Sequence, residues 1–332
     1  MHKALVVLAV SAAAIAGSAA FAQRERLPAE CRQELIQLRR GSEGGFRRCL
    51  ATALPKLSDP CRKAIGSRQG EAPAGAVEHA YGGDARQRLD LVRPAAGGLA
   101  TGPAPLLLFI HGGGWSIGDK RHAAAPKAAH FTSLGWAFGS VNYRLVPDVG
   151  VEQQAADIAQ AIGWVRAHAG EQGLDPNRIV LMGHSAGAHL AALVGTDPRY
   201  LAAAGVPMSA VKGVVLLDGA GYDIARQMAV PGNPVAGMYD AAFGRDPKRQ
   251  EALSPTLHAA ASNVASWLIL PVASRADSVA QSRELAAALG KSGASAQVVP
   301  VPGESYGSLN KGLGESGDLA IGEVDRFIAA LR

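Results

Sequence analysis

The sequence predicts an α/β fold, in which a mostly parallel sheet is covered by helices on both faces. Short apolar runs typical of strands alternate with helix-length amphipathic patterns, and two of the runs end in glycine-rich turns. This alternation is typical of parallel sheets that are buried on both sides. The strand-like runs are Arg88–Val92, Leu106–His111, Trp136–Tyr143, Arg178–Met182, Val211–Leu217, Trp267–Ala273 and Ala296–Val301. The helical patterns are Lys127–Ser133, Val151–His168, Ala186–Val194, Ser278–Lys291 and Leu319–Leu331.

The first segment, residues 1–22, reads as a secretory signal peptide. A short basic start precedes the apolar stretch Ala4–Ile15, and Ala20-Phe21-Ala22 offers a small-x-small cleavage site before Gln23. The alternative is an uncleaved membrane anchor, although the apolar stretch is short for a span of about 20 residues. We therefore expect a periplasmic or secreted protein that is not an integral membrane protein after cleavage.

The second segment, residues 23–70, is predicted to be a small helical module that contains all three cysteines of the chain. In an oxidising compartment two of Cys31, Cys49 and Cys61 are expected to pair, and the sequence leaves open which two. A zinc site is less attractive, because no histidine lies between residues 23 and 78. A linker near residues 71–75 leads into the large domain, residues 71–332.

The positive charge of the chain is concentrated in this small module. The net charge of the whole chain is +5, with +6 in residues 23–70 (11 Lys/Arg against 5 Asp/Glu) and −2 in residues 71–332 (21 against 23). The large domain therefore gives no reason to expect nucleic-acid binding.

The segment Gly183-His184-Ser185-Ala186-Gly187 carries the clearest chemical signal. It follows an apolar strand and precedes an alanine-rich helix. A serine on a sharp strand-to-helix turn projects its hydroxyl above the sheet, and the small flanking residues let the backbone turn tightly. The helix N-terminus behind it favours a developing negative charge. Ser185 is the candidate nucleophile.

A second glycine-rich turn, His111-Gly112-Gly113-Gly114-Trp115, follows the strand that ends near residue 110. Consecutive glycines expose backbone N–H groups and adopt conformations that other residues avoid. The N–H groups of Gly113, Gly114 and Ala186 are the candidate donors of an oxyanion hole. The alternative for the glycines is a simple turn.

With these motifs, the chain resembles the α/β-hydrolase superfamily, in its hormone-sensitive-lipase and arylformamidase-like carboxylesterase branch. The resemblance rests on His111–Trp115, Ser140–Leu145, Gly183–Leu193 and the loop Ser274–Ser278, and so extends over nearly all of residues 75–332. It implies the α/β-hydrolase fold and a serine hydrolase of small-molecule carboxylic esters or amides, with neither a metal nor an organic cofactor.

The triad of this fold runs in the order Ser, Asp or Glu, His. Asp277 stands in the loop that matches the family's acid, where it would orient the histidine and stabilise its cation. Capping of the helix that follows is the alternative role for Asp277. Asp218 and Asp223, after the preceding strand, are fallback candidates.

The histidine of the triad is missing from its expected position. Relatives carry it just before a Gly-Ser-Leu-Asn-like run, and here Tyr306 precedes that run, with no histidine after His258. A phenol is only about 0.1% ionised at neutral pH, so Tyr306 would be a poor base. His111, His184 and His189 are expected to be structural, and His258 would reach the site only if its segment folds inward.

Loss of the base from a serine triad costs on the order of 10⁶ in turnover, while the oxyanion hole and binding retain roughly 10³–10⁴ over water. The expectation is therefore a carboxylesterase-type hydrolase with Tyr306 in the histidine position. The alternative is an impaired or non-catalytic member that binds a small ligand or partner through the same pocket. Residues 221–260 are expected to form an irregular excursion over the carboxyl edge of the sheet, as a lid, a pocket wall or a plain insertion.

Overall fold

A computed structural model describes residues 30–31, 33–34, 57–58, 60–61, 70–94, 102–219, 221–230, 235–260 and 262–331. The strands are β1 Val77–Ala80, β2 Arg88–Val92, β3 Ala104–Ile110, β4 Ala137–Val141, β5 Leu174–His184, β6 Val211–Leu217, β7 Ser266–Leu270 and β8 Ser295–Val298. The helices are α1 Ala124–Ser133, α2 Val151–Ala167, α3 Ala169–Gln172, α4 Ala186–Thr196, α5 Pro198–Ala203, α6 Ile224–Met228, α7 Ala236–Phe243, α8 Pro247–Ala252, α9 Pro255–His258, α10 Ala276–Lys291, α11 Ser308–Lys311 and α12 Ile321–Ala330.

The eight strands form one sheet in the order β1-β2-β4-β3-β5-β6-β7-β8. Strand β2 pairs antiparallel with both of its neighbours. The six strands on its other side, in the sheet order β4-β3-β5-β6-β7-β8, all pair parallel. The carboxyl ends of β3, β5, β6 and β7 therefore meet at one edge of the sheet. All of the candidate site residues follow these strand ends or, for residue 306, follow β8.

Both faces of the sheet are covered by helices. Alternate residues of β3, such as Leu106 and Leu108, pack with α2, α4 and α10 in one hydrophobic cluster, and Leu107 and Phe109 pack with α1 and α12 in the other. Every residue of β3 and β4 is buried, as expected for central strands of a parallel sheet. The predicted α/β-hydrolase architecture is confirmed.

The predicted elements occur, with ends that differ by a few residues. Strand β1 was not predicted, because it is a four-residue edge strand with three exposed side chains and no apolar run. The predicted last strand ends at Val298, although Val301 still forms an isolated parallel bridge to Val272. Helix α10 begins two residues earlier than predicted, at Ala276.

The prediction that residues 221–260 are irregular is wrong in part, because this excursion contains the four short helices α6 to α9. Asp223 and Asp246 cap two of them by accepting from the backbone N–H groups of Arg226 and Lys248. Pro247 and Pro255 stand in the first turns of α8 and α9, where proline is well tolerated. These capping and proline signals for helix starts were present in the sequence, but the glycine- and proline-rich composition of the segment favoured a loop.

Among the described residues of the small N-terminal segment, Cys31 and Cys61 form a disulfide, with Cα atoms 5.1 Å apart. Ser58 donates from both its backbone N–H and its hydroxyl to the carboxylate of Glu34, which joins the same two short segments. The signal peptide predicted at residues 1–22, Cys49 and most of the module predicted at residues 23–70 lie outside the described residues. No helix in the part of the chain that the structure describes is long and apolar enough to span a membrane.

Candidate active site

Ser185 occupies the turn between β5 and α4, with φ 56° and ψ −120°. This left-handed backbone is costly for a residue with a Cβ and is typical of functional sites. The Ser185 N–H donates to the carbonyl of Leu217, the last residue of β6, at 3.1 Å. Glycine is required on both sides of the turn, because a Cβ on Gly183 would clash with the backbone of Gly187, and one on Gly187 with the carbonyl of Ile110.

The glycine loop after β3 lies directly against this turn. A Cβ built on Gly112 would come within 2.8 Å of the His184 carbonyl oxygen and 3.1 Å of Ser185 Cβ, so glycine is needed for this close approach. Gly113 and Gly114 have φ angles of 134° and 56°. Within the described chain, neither of these two residues donates its N–H to a backbone carbonyl. Ala186 opens α4, where a helical N–H has no partner within its own helix. The loop that contains Gly113 and Gly114 and the start of α4 at Ala186 thus both adjoin Ser185.

Trp115 anchors the glycine loop in the core. Its side chain is buried and makes edge contacts with Tyr239 and Phe243 of α7, at ring-centroid distances of 5.1 and 4.7 Å. A Cβ on Gly114 would clash with Met238 Sδ of the same helix. The excursion therefore packs on the glycine loop and forms part of the wall of the site, which supports the pocket-wall alternative over a plain insertion.

The side chain of Tyr306 reaches Ser185. Its hydroxyl donates to Ser185 Oγ at 2.5 Å, across 121 residues of sequence. Both side chains are partly buried. The position at which the resemblance expects a histidine is therefore next to the candidate nucleophile, and a phenol occupies it.

The predicted acid, Asp277, stands in the first turn of α10, and its side chain is 43% exposed. Its ion pair is with Arg275, at 3.9 Å from Arg275 Nη2. Arg275 itself holds the N-cap position of the helix, so Asp277 lies two residues too late to serve as the N-cap. The alternative role that the sequence suggested for Asp277, capping, is therefore wrong.

The fallback candidates have structural partners. Asp218 is fully buried and accepts from Arg275 Nη1 at 2.6 Å, from Ser278 Oγ at 2.9 Å and from the Val272 N–H at 3.1 Å. Asp223 caps α6. Arg275 had no predicted role, although its sequence position carried a signal. It follows the end of β7, and Asp218 follows the end of the adjacent parallel strand β6.

The histidines near the elbow are buried. His189 Nδ1 accepts from Trp115 Nε1 at 3.3 Å, and its Nε2 donates to the Leu253 carbonyl at 2.8 Å, an arrangement that requires a neutral ring. Burial lowers the pKa of His111 and His189 to about 4. His258 donates to the carbonyl of Ala252. These contacts agree with the structural roles expected for His111 and His189.

A buried lysine of α1 lies over the ring of Phe109 in β3. Lys127 Nζ donates to the backbone carbonyls of Ala123 and Asn310, and burial lowers its pKa to about 7. Among the residues that the structure describes, no group of three or more His, Cys, Asp or Glu side chains could hold a metal ion.

Comparison with known proteins places these residues in a family context. The BD-FAE family model matches residues 89–219, which hold the glycine loop and the elbow. The probable carboxylic ester hydrolase LipM of Mycobacterium tuberculosis is 44% identical over 103 residues, which are 30% of this chain and 24% of LipM. Esterase LipC of the same organism is 37% identical over 125 residues, 37% of this chain and 30% of LipC. The matches thus span less than a third of either relative.

Two solved structures extend the similarity to most of the chain. Esterase 2 of Thermogutta terrifontis has 25% identity and a TM-score of 0.62, over 78% of this chain and 96% of that one. Esterase B of Lactobacillus rhamnosis has a TM-score of 0.65 over 91% and 96% of the two chains, and at 21% identity it supports the fold alone. The chain therefore belongs to the α/β-hydrolase superfamily by its fold, and over the matched residues it is similar to the hormone-sensitive-lipase-like carboxylesterases.

Proposed function

We propose that this protein is a carboxylic-ester hydrolase that works through an acyl-enzyme on Ser185, with Tyr306 in the place of the triad histidine. The observation that carries the proposal is the position of Ser185, which stands in a left-handed turn with the glycine loop on one side and the Tyr306 hydroxyl 2.5 Å from its Oγ. The substrates are small-molecule esters, with small amides as the second class.

Each part of the site has a defined task in this reaction. Ser185 Oγ attacks the ester carbonyl, and the N–H groups of Gly113, Gly114 and Ala186 bind the oxyanion that forms. Asp277 holds the acid position of the family pattern. No cofactor takes part, because each bond change needs only a nucleophile, proton transfers and water.

Tyr306 sets the rate at neutral pH. In its neutral form the phenol donates to Ser185 Oγ, whereas a general base must accept the serine proton. Since a phenol ionises near pH 10, we expect slow turnover at pH 7 and a preference for activated esters, whose leaving groups need little protonation. LipM and LipC, named a probable carboxylic ester hydrolase and an esterase, support the reaction class, and their names assign no substrate.

The test is covalent labelling together with turnover. Esterase 2 of Thermogutta terrifontis has been solved phosphorylated by paraoxon, so paraoxon is a suitable probe. We expect intact-protein mass spectrometry to show one phosphoryl adduct, with peptide mapping to Ser185. The Ser185→Ala variant should lose both the adduct and p-nitrophenyl acetate hydrolysis. The control variant Ser133→Ala, altered at an exposed serine on α1, should keep both.

A second function, ligand binding without turnover, is favoured by one observation. The Tyr306 hydroxyl donates to the candidate nucleophile, and this contact suits a site that offers donors to a ligand oxygen better than one that ionises its serine. Hydrolysis no faster than the uncatalysed reaction, with no paraoxon adduct at Ser185, would reject the esterase proposal in favour of this one.

Export to the periplasm or the medium is part of the proposal. It is supported by the signal-like residues 1–22 and by the Cys31–Cys61 disulfide, since disulfides persist in oxidising compartments. N-terminal sequencing of the protein from a periplasmic or culture fraction should begin at Gln23. A chain that retains residues 1–22 in the cytosolic fraction would contradict it.

A further inference from the structure

Arg275 is held rigidly at the carboxyl edge of the sheet. Its Nη1 atom lies 2.6 Å from Asp218 Oδ2, and the other oxygen of that carboxylate accepts from Ser278 Oγ and the Val272 N–H. Asp218 is fully buried and Arg275 is 32% exposed. Burial by itself would lower the pKa of Arg275, but the facing Asp218 offsets this and raises it. The guanidinium is therefore a fixed, permanent positive charge.

This charge lies over the ring of Tyr306. Arg275 Cζ is 5.2 Å from the centroid of the phenol ring. A cation in this position is attracted by the ring face, and it favours the ionised form of an acid at this range. The same contact fixes the ring plane, so the hydroxyl remains directed at Ser185.

The other charged and titratable groups around Tyr306 modify this effect. Asp218 and Asp277 each pair with Arg275 and offset part of its charge. His184, whose ring centroid is 4.7 Å from that of Tyr306, is neutral because burial first, and then Lys127, lower its pKa to about 3. The phenols of Tyr143 and Tyr239, which interact electrostatically with Tyr306, are held neutral by burial, which raises their pKa values. Arg275 is a cation in direct contact with the ring.

Resting on the proposed function, we infer that Arg275 is a positioning residue that orients Tyr306 and favours its phenolate, so that Tyr306 serves as the general base for Ser185. The phenolate oxygen takes the proton of Ser185 Oγ as Oγ bonds to the ester carbonyl carbon. The carbonyl π electrons move to oxygen, and the N–H groups of the glycine loop bind the resulting oxyanion.

The remaining steps restore the starting site. When the oxyanion collapses, the bond to the leaving alkoxide breaks, and the Tyr306 hydroxyl returns its proton to that oxygen to release an alcohol. A water molecule then gives a proton to the phenolate while its oxygen attacks the acyl carbon. Collapse of this second intermediate breaks the bond to Ser185 Oγ, which receives the proton from Tyr306 as the carboxylic acid leaves.

The experiment is the pH profile of kcat/KM for p-nitrophenyl acetate, with the rate of the Ser185→Ala variant subtracted at each pH. The full-length protein should show activity that rises with pH through one inflection. We expect Arg275→Gln to move this inflection upward by at least about one pH unit. Arg275→Lys, which retains the charge, should move it less. The matched control Arg283→Gln removes an exposed charge from the same helix, α10, and should leave the profile unchanged.

An ultraviolet difference titration of Tyr306, from spectra of the protein minus those of Tyr306→Phe, should show the same inflection and the same shift. This readout remains valid if the Arg275 variants lose activity for structural reasons. If the profiles and titrations of the parent, Arg275→Gln and Arg283→Gln superimpose, the inference about Arg275 is overturned. Labelling of Ser185 by paraoxon would in that case still support the esterase proposal. Loss of labelling at Ser185 would instead remove the proposed function on which the inference rests.

Discussion

The backbone carbonyl oxygen of Tyr306 lies 3.1 Å from Nε2 of His184, the residue immediately before Ser185. His184 is neutral, because burial lowers its pKa to about 3, and its Nε2–H donates to that carbonyl. The elbow thus holds the loop that presents residue 306 through a backbone contact. Because the contact does not involve the side chain of residue 306, a different side chain should be presented to Ser185 from the same place.

Replacement of Tyr306 by histidine is therefore expected to raise activity. At pH 7 an imidazole is largely available as a base, whereas a phenol is almost fully protonated. We expect kcat for p-nitrophenyl acetate to rise by at least about a hundredfold, within the roughly 10⁶ that a triad base contributes. The pH profile of Tyr306→His should also have its inflection near 6.5 to 7.

The double variant Tyr306→His, Asp277→Asn tests the acid position at the same time. If Asp277 orients the new imidazole, the added substitution should remove most of the gain. Asp223→Asn in the same background alters an exposed helix cap and should leave the gain in place. Unchanged turnover in Tyr306→His would show that the proton of Ser185 is taken by another group.

The buried ion pair of Asp218 and Arg275 predicts a large stability effect. Asp218→Asn removes the charge that three donors surround and leaves Arg275 without its close partner. The free energy of unfolding in urea should fall by on the order of 2–3 kcal/mol, since breaking a buried pair is costly and Arg275 keeps some solvent. Asp223→Asn should change the free energy of unfolding by less than about 0.5 kcal/mol, because aspartate and asparagine both cap helices well. Equal effects of the two substitutions would contradict this account.

Stability should decrease as the pH falls below neutrality. His111, His184 and His189 have folded-state pKa values of about 4, 3 and 4, lowered chiefly by burial from the ordinary 6.5. The unfolded chain therefore binds more protons than the folded chain below about pH 6.5. The three neutral histidines contribute fully to the free energy of unfolding above that pH, and this contribution is lost as the pH falls towards 4.

The measurement is the urea unfolding free energy between about pH 7.5 and 5, where ordinary carboxylates remain ionised. Each histidine contributes a slope of up to about 1.4 kcal/mol per pH unit. A flat profile in this range would mean that the three rings are protonated in the folded state.

Met238 is expected to limit the size of the acyl group. Its Sδ packs on Gly114, beside the predicted oxyanion donors, so a long acyl chain would have to displace the thioether. Met238→Ala should raise the ratio of kcat/KM for p-nitrophenyl hexanoate to that for the acetate by about tenfold, since each methylene accommodated is worth roughly 10-fold or more. The control is Met208→Ala. Met208 precedes β6, at the opposite edge of the sheet, so this substitution should leave the ratio unchanged. A similar ratio in both variants would place the acyl pocket elsewhere.

Several parts of the site could be predicted because their signals are local. The turn at Ser185 needs glycine at both flanks and a strand and helix on either side, and all of these are adjacent in sequence. The same is true of the loop at Gly113 and Gly114. The short helices of residues 221–260 were missed, although Asp and Pro marked their starts, because helices of four to eight residues have no sustained periodicity.

The sequence by itself determined the fold class, the place of the candidate nucleophile and the phenol in the histidine position. Only the tertiary structure decided that the Tyr306 hydroxyl meets Ser185 Oγ, across 121 residues, and that Arg275 pairs with Asp218, across 57 residues, and lies over the phenol ring. The physical reason is that strand order sets these contacts. The parallel neighbours β5, β6 and β7 bring their carboxyl ends to one edge, and no spacing along the chain specifies which side chains meet there.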